Sequence, residues 1–203
     1  MIKKKFLNSS MIAKIAIFSA LSYVLYLFPK FHLPFFPFFL EVNFSDIPAL
    51  ICAFVLGPLP AVIVIFIKVL LKLPLSITLG VGELADLIIG VCFVLPPALM
   101  YKKNKTIKTA LIGLLIGAAL STLGAIVSNI YLIVPAYVNV LLDNNFDALV
   151  GICKPFISDI TAENFFVKYS LFIILPFNLL RCFVAGLLTF LLYKRISNLL
   201  HKF

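Results

Sequence analysis

Five apolar runs, at residues 11–28, 47–72, 82–100, 110–134 and 169–193, constrain this chain more than any other feature. A helix crossing about 30 Å of hydrocarbon needs about 20 apolar residues. The second run differs in kind, because "GPLP" at Gly57 to Pro60 interrupts it. Prolines there break a helix midway. Three acid-free basic clusters edge the runs: Lys3, Lys4 and Lys5; Lys102, Lys103, Lys105 and Lys108; Lys194, Arg195 and Lys202. This is the positive-inside pattern of a membrane protein. If the N-terminus and the 102–108 loop share one side, an even number of spans separates them. Dividing the second run at "GPLP" supplies that number.

The expected architecture is therefore an all-α integral membrane protein. It has six transmembrane helices in one bundle over 1–203, at about 11–28, 44–57, 60–73, 82–100, 110–134 and 169–193, with both termini cytoplasmic. Helices of about a dozen residues cover only about 18 Å, so the second and third tilt, extend or stop short of one face. The outer loops are 29–46, 73–81 and 135–168. The start, "MIKKKFLNSSMIAKIAIFSALSYVLYLF", has a basic flank like a signal peptide, but its long apolar run reads as a retained first span. No internal repeat supports an inverted-repeat carrier.

Composition excludes several classes. The chain is 63% hydrophobic and 12% charged, against about half and about a quarter in average domains. The net charge of +9 does not indicate nucleic acid, because its clusters lie at span edges rather than on a polar surface. Cys52, Cys92 and Cys182 read as small apolar residues and Cys153 stays open. There is no Cys-x-x-Cys and no metal-ligand spacing. The chain lacks a phosphate-binding loop, a nucleophile elbow and a His-Glu-x-x-His pair. No catalytic constellation emerges, and the chain reads as a non-enzyme.

Polar residues gather at the outer half. Intramembrane polar groups usually face the bundle interior or an aqueous cavity. Glu83 and Asp86 begin the fourth span, Asn129 and Tyr131 end the fifth, and Asn178 and Arg181 lie about 15–20 Å into the sixth. Asn178 and Arg181, at i and i+3, share a helix face. "LEVNFSDIPAL", at residues 40–50, opens the second. Each residue also has a plain structural reading. Ser45 or Asp46 caps helix 2, Glu83 and Asp86 face headgroup water, and Asn129 bonds a neighbouring helix. Lys68 and Lys72 have no evident partner and are expected to snorkel.

"NFSDIPALICAFVLGPLPAVIVIFIKVLLK", "GVGELADLIIG", "SNIYLIVPAY" and "PFNLLRCFVAGLLTFLLYKRIS" together resemble the riboflavin-specific S component of energy-coupling factor (ECF) vitamin importers. The resemblance spans nearly the whole chain. It implies a multi-pass protein of the bacterial cell membrane that captures a vitamin from outside. Its implied partners are a transmembrane coupling subunit and two cytoplasmic ATPase subunits. Riboflavin is the implied transported ligand, with no cofactor, metal or nucleic acid. The resemblance carries substrate contact to Asn129, Asn178, Arg181 and Glu83, and a ligand-covering role to Leu40, Glu41 and Asn43. Ala16 and Ala20 match the small-x-x-x-small motif that docks the coupling subunit; small residues permit close helix approach. This chain departs from the family pattern at Arg181, where Lys is usual, at Cys182, where Gly is usual, and at Ile65 to Val69. These departures bear on ligand preference. Because Arg suits phosphate better than Lys, some tolerance for FMN is expected. The alternatives are another vitamin, a flavin nucleotide, a stand-alone carrier, and a small lipid-modifying membrane enzyme.

Overall fold

The structure, a computed structural model, describes residues 8–200. Of the basic clusters, Lys3, Lys4, Lys5 and Lys202 lie outside the described residues, as do the side chains of Lys194 and Arg195.

Helix α1 (Ser9–Leu27) starts at Asn8, whose side chain accepts from the Met11 amide at 2.8 Å. A loop follows, pinned by the antiparallel strands β1 (Phe31–His32) and β2 (Glu41–Val42). Helices α2 (Asp46–Leu56) and α3 (Pro58–Lys72) meet at a one-residue hinge, Gly57. Its φ of 97° suits glycine. Pro58 and Pro60 sit in the first turn of α3, where a missing N–H costs nothing. The prolines thus begin a helix rather than lie between two. Helix α4 is Val81–Lys103 and α5 is Ile107–Ser128.

Helix α5 does not end at Ser128. It passes through one π turn, Asn129–Ile133, into α6 (Val134–Leu141), so that a single apolar helix runs from Ile107 to Leu141. A second π turn, Tyr169–Ile174, joins α8 (Phe165–Lys168) to α9 (Leu175–Leu200). Each π turn ends two residues before a proline, Pro135 or Pro176. A proline has no N–H for the carbonyl four residues back, and its ring crowds that carbonyl, which favours a widened turn there. Between these two long helices the expected loop 135–168 is shorter than it reads. It carries α7 (Phe146–Cys153), whose Leu149 and Cys153 are buried with Ile160 and Phe165 in a second apolar cluster.

Five helices, Ser9–Leu27, Pro58–Leu75, Val81–Lys103, Ile107–Leu141 and Phe165–Tyr193, are long and apolar enough to cross a membrane. Helix α2 is shorter, about 16 Å at 1.5 Å per residue. Every residue from Asp46 to Phe54 is buried, against α1, α3, α4 and α9. An all-round apolar helix of this kind belongs at the centre of a bundle. The outer surface is correspondingly apolar. Ile17, Leu115, Phe172 and Phe183 are exposed, whereas Ser22, Asp46, Lys68, Arg181 and Thr189 are buried. That inversion suits a lipid surround.

The tightest helix contact joins α4 and α5. Pro97 leaves the Phe93 carbonyl without its helical donor, and Gly117 packs against that carbonyl. A Cβ on Gly117 would lie 2.4 Å from the Phe93 oxygen, and one on Gly113 would lie 2.6 Å from the Pro97 Cα. Both obstacles are backbone. Gly117→Ala is therefore expected to destabilise the bundle by about 1–3 kcal/mol, seen as a lower thermal unfolding midpoint of the purified protein. Gly151→Ala, whose Cβ would meet nothing within 4 Å, should leave the midpoint unchanged or slightly raised.

Candidate functional site

A cavity of about 1000 Å³, its open mouth included, lies at one end of the bundle. This volume is at the upper end of the range for small-molecule sites. The end is the one where α1 and α3 finish and α4 begins. The opposite end is marked by the Phe54, Tyr101 and Tyr193 rings, with the two tyrosine hydroxyls 3.0 Å apart. Of the residues expected at the site, Leu40, Glu41, Asn43, Glu83, Asn129, Asn178 and Arg181 all line this cavity. Tyr131 does not. It is 78% exposed, because it stands about half a turn round the helix from the buried Asn129 and Ile133. Ala16 and Ala20 lie on the exposed face of α1, away from its buried side at Ile15, Ser19 and Ser22.

The apolar part of the wall comes from Phe39, Leu40, Ile89, Ile133, Tyr137 and Phe177. Phe39 and Tyr137 are 5.2 Å apart, and Phe36 meets Phe177 edge-on at 5.3 Å. The aromatic loop between the strands is thus held against the long helices. At the mouth, Glu41 lies 2.7 Å from Lys30 and 3.4 Å from His32 Nε2.

The two wall asparagines are oriented in the same way. Asn129 opens one π turn and donates from Nδ2 to the Ala125 carbonyl at 2.8 Å. Asn178 follows the other and donates to the Ile174 carbonyl at 2.8 Å. Asn129 therefore bonds its own helix, not a neighbour. Each bond uses the donor side of the amide. The Asn178 Oδ1 is buried without a protein partner, and such an acceptor calls for a donor from elsewhere.

Charged residues form the base. Arg181 donates from Nε (3.2 Å) and Nη2 (2.9 Å) to Asp46 Oδ2. Its Nη1 donates to Asp86 Oδ1 at 2.6 Å. The other Asp46 oxygen accepts from Lys68 Nζ at 2.6 Å, and Lys68 also donates to Ser45 Oγ at 2.7 Å. Ser45 donates to Asn43 Oδ1 from both its hydroxyl (2.7 Å) and its amide (3.1 Å), and its carbonyl accepts from the Ser22 hydroxyl. Beside this cluster, Lys72 Nζ reaches Glu83 Oε1 at 3.2 Å, while Ser76 and Thr78 donate to Glu83 Oε2 at 2.5 and 3.2 Å. The Tyr26 ring lies 5.5 and 5.6 Å from the Lys68 and Lys72 ammonium groups, within cation–π range.

Several expectations are corrected here. Ser45 occupies the cap position of α2 but makes no side-chain cap bond. Asp46 does not cap α2 either, because its oxygens are taken by Lys68 and Arg181. Lys68 does not snorkel; it is 0% exposed. Lys72 is buried on Glu83. Asp86 faces the cavity and Arg181 rather than headgroup water. Tyr26, Lys72 and Asp86 are cavity residues beyond those expected from the sequence. One signal was available: Lys68 and Lys72, at i and i+4, share a helix face, and two lysines on one face of an apolar helix call for two acids. Among the described residues no cluster of His, Cys, Asp or Glu could hold a metal. Burial pushes the Cys153 thiol up to about 12, so it stays protonated and packs as an apolar group.

The family model described as ECF transporter, substrate-specific component, matches residues 10–193. The chain is 29% identical over 192 residues to the riboflavin transporter RibU of Staphylococcus aureus, covering 93% of this chain and 90% of that protein. It is 30% identical over 186 residues to the riboflavin transporter FmnP of Bacillus subtilis, covering 90% of each. It is 32% identical over 204 residues to RibU of Streptococcus thermophilus, covering 96% of this chain and 86% of that one. A solved structure of the S component of a bacterial ECF transporter superposes with a TM-score of 0.73 at 28% identity, covering 96% of this chain and 99% of the other.

Removing one partner of a buried ion pair costs about 3–5 kcal/mol, because the other charge is stranded. Asp46→Ala strands Lys68 and should lower the thermal unfolding midpoint more than Lys68→Met, which leaves Asp46 on Arg181. Equal midpoints for both variants and the wild type would show that the ion cluster does not hold α2 in place.

Proposed function

This chain belongs to the substrate-specific components of ECF transporters, and on that premise we propose that it binds riboflavin and delivers it for ATP-driven uptake. The observation that carries this reading is a mostly apolar cavity with Asn129 and Asn178 on its wall and a partnerless acceptor on Asn178. Riboflavin is a flat apolar tricycle with one hydrogen-bonding edge and a polyhydroxyl tail. A site of apolar walls and few placed polar groups suits such a molecule. An amide side chain can both donate and accept along the edge. The relatives named riboflavin transporters support the same ligand. Riboflavin is here the cargo, and no cofactor is invoked. The role is capture and transport, not catalysis.

The finer topology follows the same reading. With α2 counted beside the five long helices, six spans place both termini in the cytoplasm of a bacterial cell. Support comes from Lys102 and Lys103 at the end of α4, Lys105 in the turn and Lys108 at the start of α5, all at the end away from the cavity, the cytoplasmic side by the positive-inside rule. The cavity then opens outward, with Glu41 at its mouth. The partners are a transmembrane coupling subunit and two cytoplasmic ATPase subunits, and the exposed Ala16 and Ala20 offer a flat surface for close helix packing.

Purified protein should quench riboflavin fluorescence and carry a flavin absorbance band when isolated from riboflavin-containing medium. A colourless protein that leaves the fluorescence of added riboflavin unchanged would sink the reading. Asn129→Ala and Asn178→Ala should each weaken riboflavin binding by about tenfold, equivalent to about 1.4 kcal/mol and within the range for a lost buried hydrogen bond. Replacing Ala16 and Ala20 by Leu should reduce uptake in the presence of the ATPase module while leaving riboflavin binding by the isolated chain intact.

A further inference from the structure

The charges on the cavity wall are matched. Lys30, Lys72 and Arg181 line it, and so do Glu41, Glu83 and Asp86. Lys30 is 2.7 Å from Glu41, Lys72 is 3.2 Å from Glu83, and Arg181 is 2.6 Å from Asp86. Behind the wall, Asp46 holds Arg181 at 2.9 Å and Lys68 at 2.6 Å. Each basic side chain on the wall is thus already engaged by a carboxylate.

Arg181 is the group of greatest consequence. A guanidinium is the side chain best suited to bind phosphate, because its forked donors match two oxygens at once. Here one edge of the fork is spent on Asp46 and the remaining terminal nitrogen on Asp86. Asp46 is 2% exposed and also tied to Lys68. Asp86 is different: its side chain is 15% exposed and borders the cavity. A phosphate reaching Arg181 from the cavity would have to displace Asp86. That carboxylate would then stand beside a group carrying close to two negative charges. A phosphate elsewhere on the inner wall, at Lys72, would lose its water and meet only a cation already paired with Glu83, at a heavy desolvation cost. A neutral ligand meets neither penalty.

We propose that Asp86 is a specificity-determining residue, which by occupying Arg181 from the cavity side makes the site reject phosphorylated flavin in favour of neutral riboflavin. The proposal rests on the riboflavin reading above. It replaces the expectation that Arg181 confers tolerance for FMN: the guanidinium is present, but its charge is already shared between Asp46 and Asp86.

The test compares riboflavin with FMN in purified wild type, Asp86→Asn and Asp86→Glu, by quenching of flavin fluorescence at about pH 7.5, where the phosphate is largely dianionic. The wild type should bind FMN at least about tenfold more weakly than riboflavin, and Asp86→Asn should narrow that ratio by about tenfold. Asp86→Glu, which restores the charge, should keep the ratio wide. A purely structural Asp86 would weaken both ligands together in Asp86→Asn and leave the ratio unmoved, which overturns the proposal. So does equal binding of the two flavins by the wild type, a measurement that needs no variant to fold. Failure of the wild type to bind riboflavin at all would instead overturn the underlying functional reading, and the proposal with it.

Discussion

The Asp46 carboxylate joins three helices at one point. One oxygen is bound by Lys68 of α3, the other by Arg181 of α9, and the residue itself opens α2. Through Arg181 the contact extends to Asp86 of α4. A bare carboxylate at this depth would be prohibitively costly, and so would either cation alone. Each charge is tolerable only because the helices meet in this arrangement. The arrangement in turn specifies where α9 sits relative to α2 and α3. Such a cluster constrains the geometry of the cavity directly above it.

The remainder of the bundle follows from its solvent. In lipid no backbone polar group can be left exposed, so long helices with apolar outer faces are the available solution. Their interior can then be more polar than their exterior, which is the inverse of a soluble protein. Helix α2 shows the consequence. At eleven residues it is too short to face lipid along its length, but four neighbouring helices surround it. The prolines perform a related service elsewhere. Pro135 and Pro176 accompany the two π turns, and those turns set Asn129 and Asn178 on the cavity wall, while Pro97 frees the carbonyl against which Gly117 packs. Of these interruptions, the two π turns border the cavity, whereas Pro97 lies nearer the opposite end.

The candidate site was partly legible in the sequence. Asn178 and Arg181 stood out because their spacing puts them on one face of an otherwise apolar helix. Asn129 stood out because an amide near the end of an apolar run demands a reason. Tyr131 has the right depth, but depth does not specify the side of a helix, and its ring faces outward. Lys68 and Lys72 give no local sign of a partner, because no acid lies within a helical turn of them in the chain. Their partners, Asp46 and Glu83, are 22 and 11 residues away on other helices. Asp86 resembles an interfacial residue for the same reason; its partner is 95 residues distant.

What the sequence determined by itself is everything local. Run length against bilayer thickness makes the chain a helical membrane protein, "GPLP" divides the second run, and the distribution of polar residues marks the end that carries a cavity. These depend on neighbours within one helix or at its edge, and so they can be read in order along the chain. The tertiary structure alone decided which charge meets which. Asp46 and Arg181 are 135 residues apart, and nothing in their local sequence states that one guanidinium will be shared between two acids. That sharing leaves a site whose charges are matched in place of one with a free cation. Charge pairing in a low-dielectric interior depends on ångström distances between separate helices, and those distances exist only once the bundle has packed.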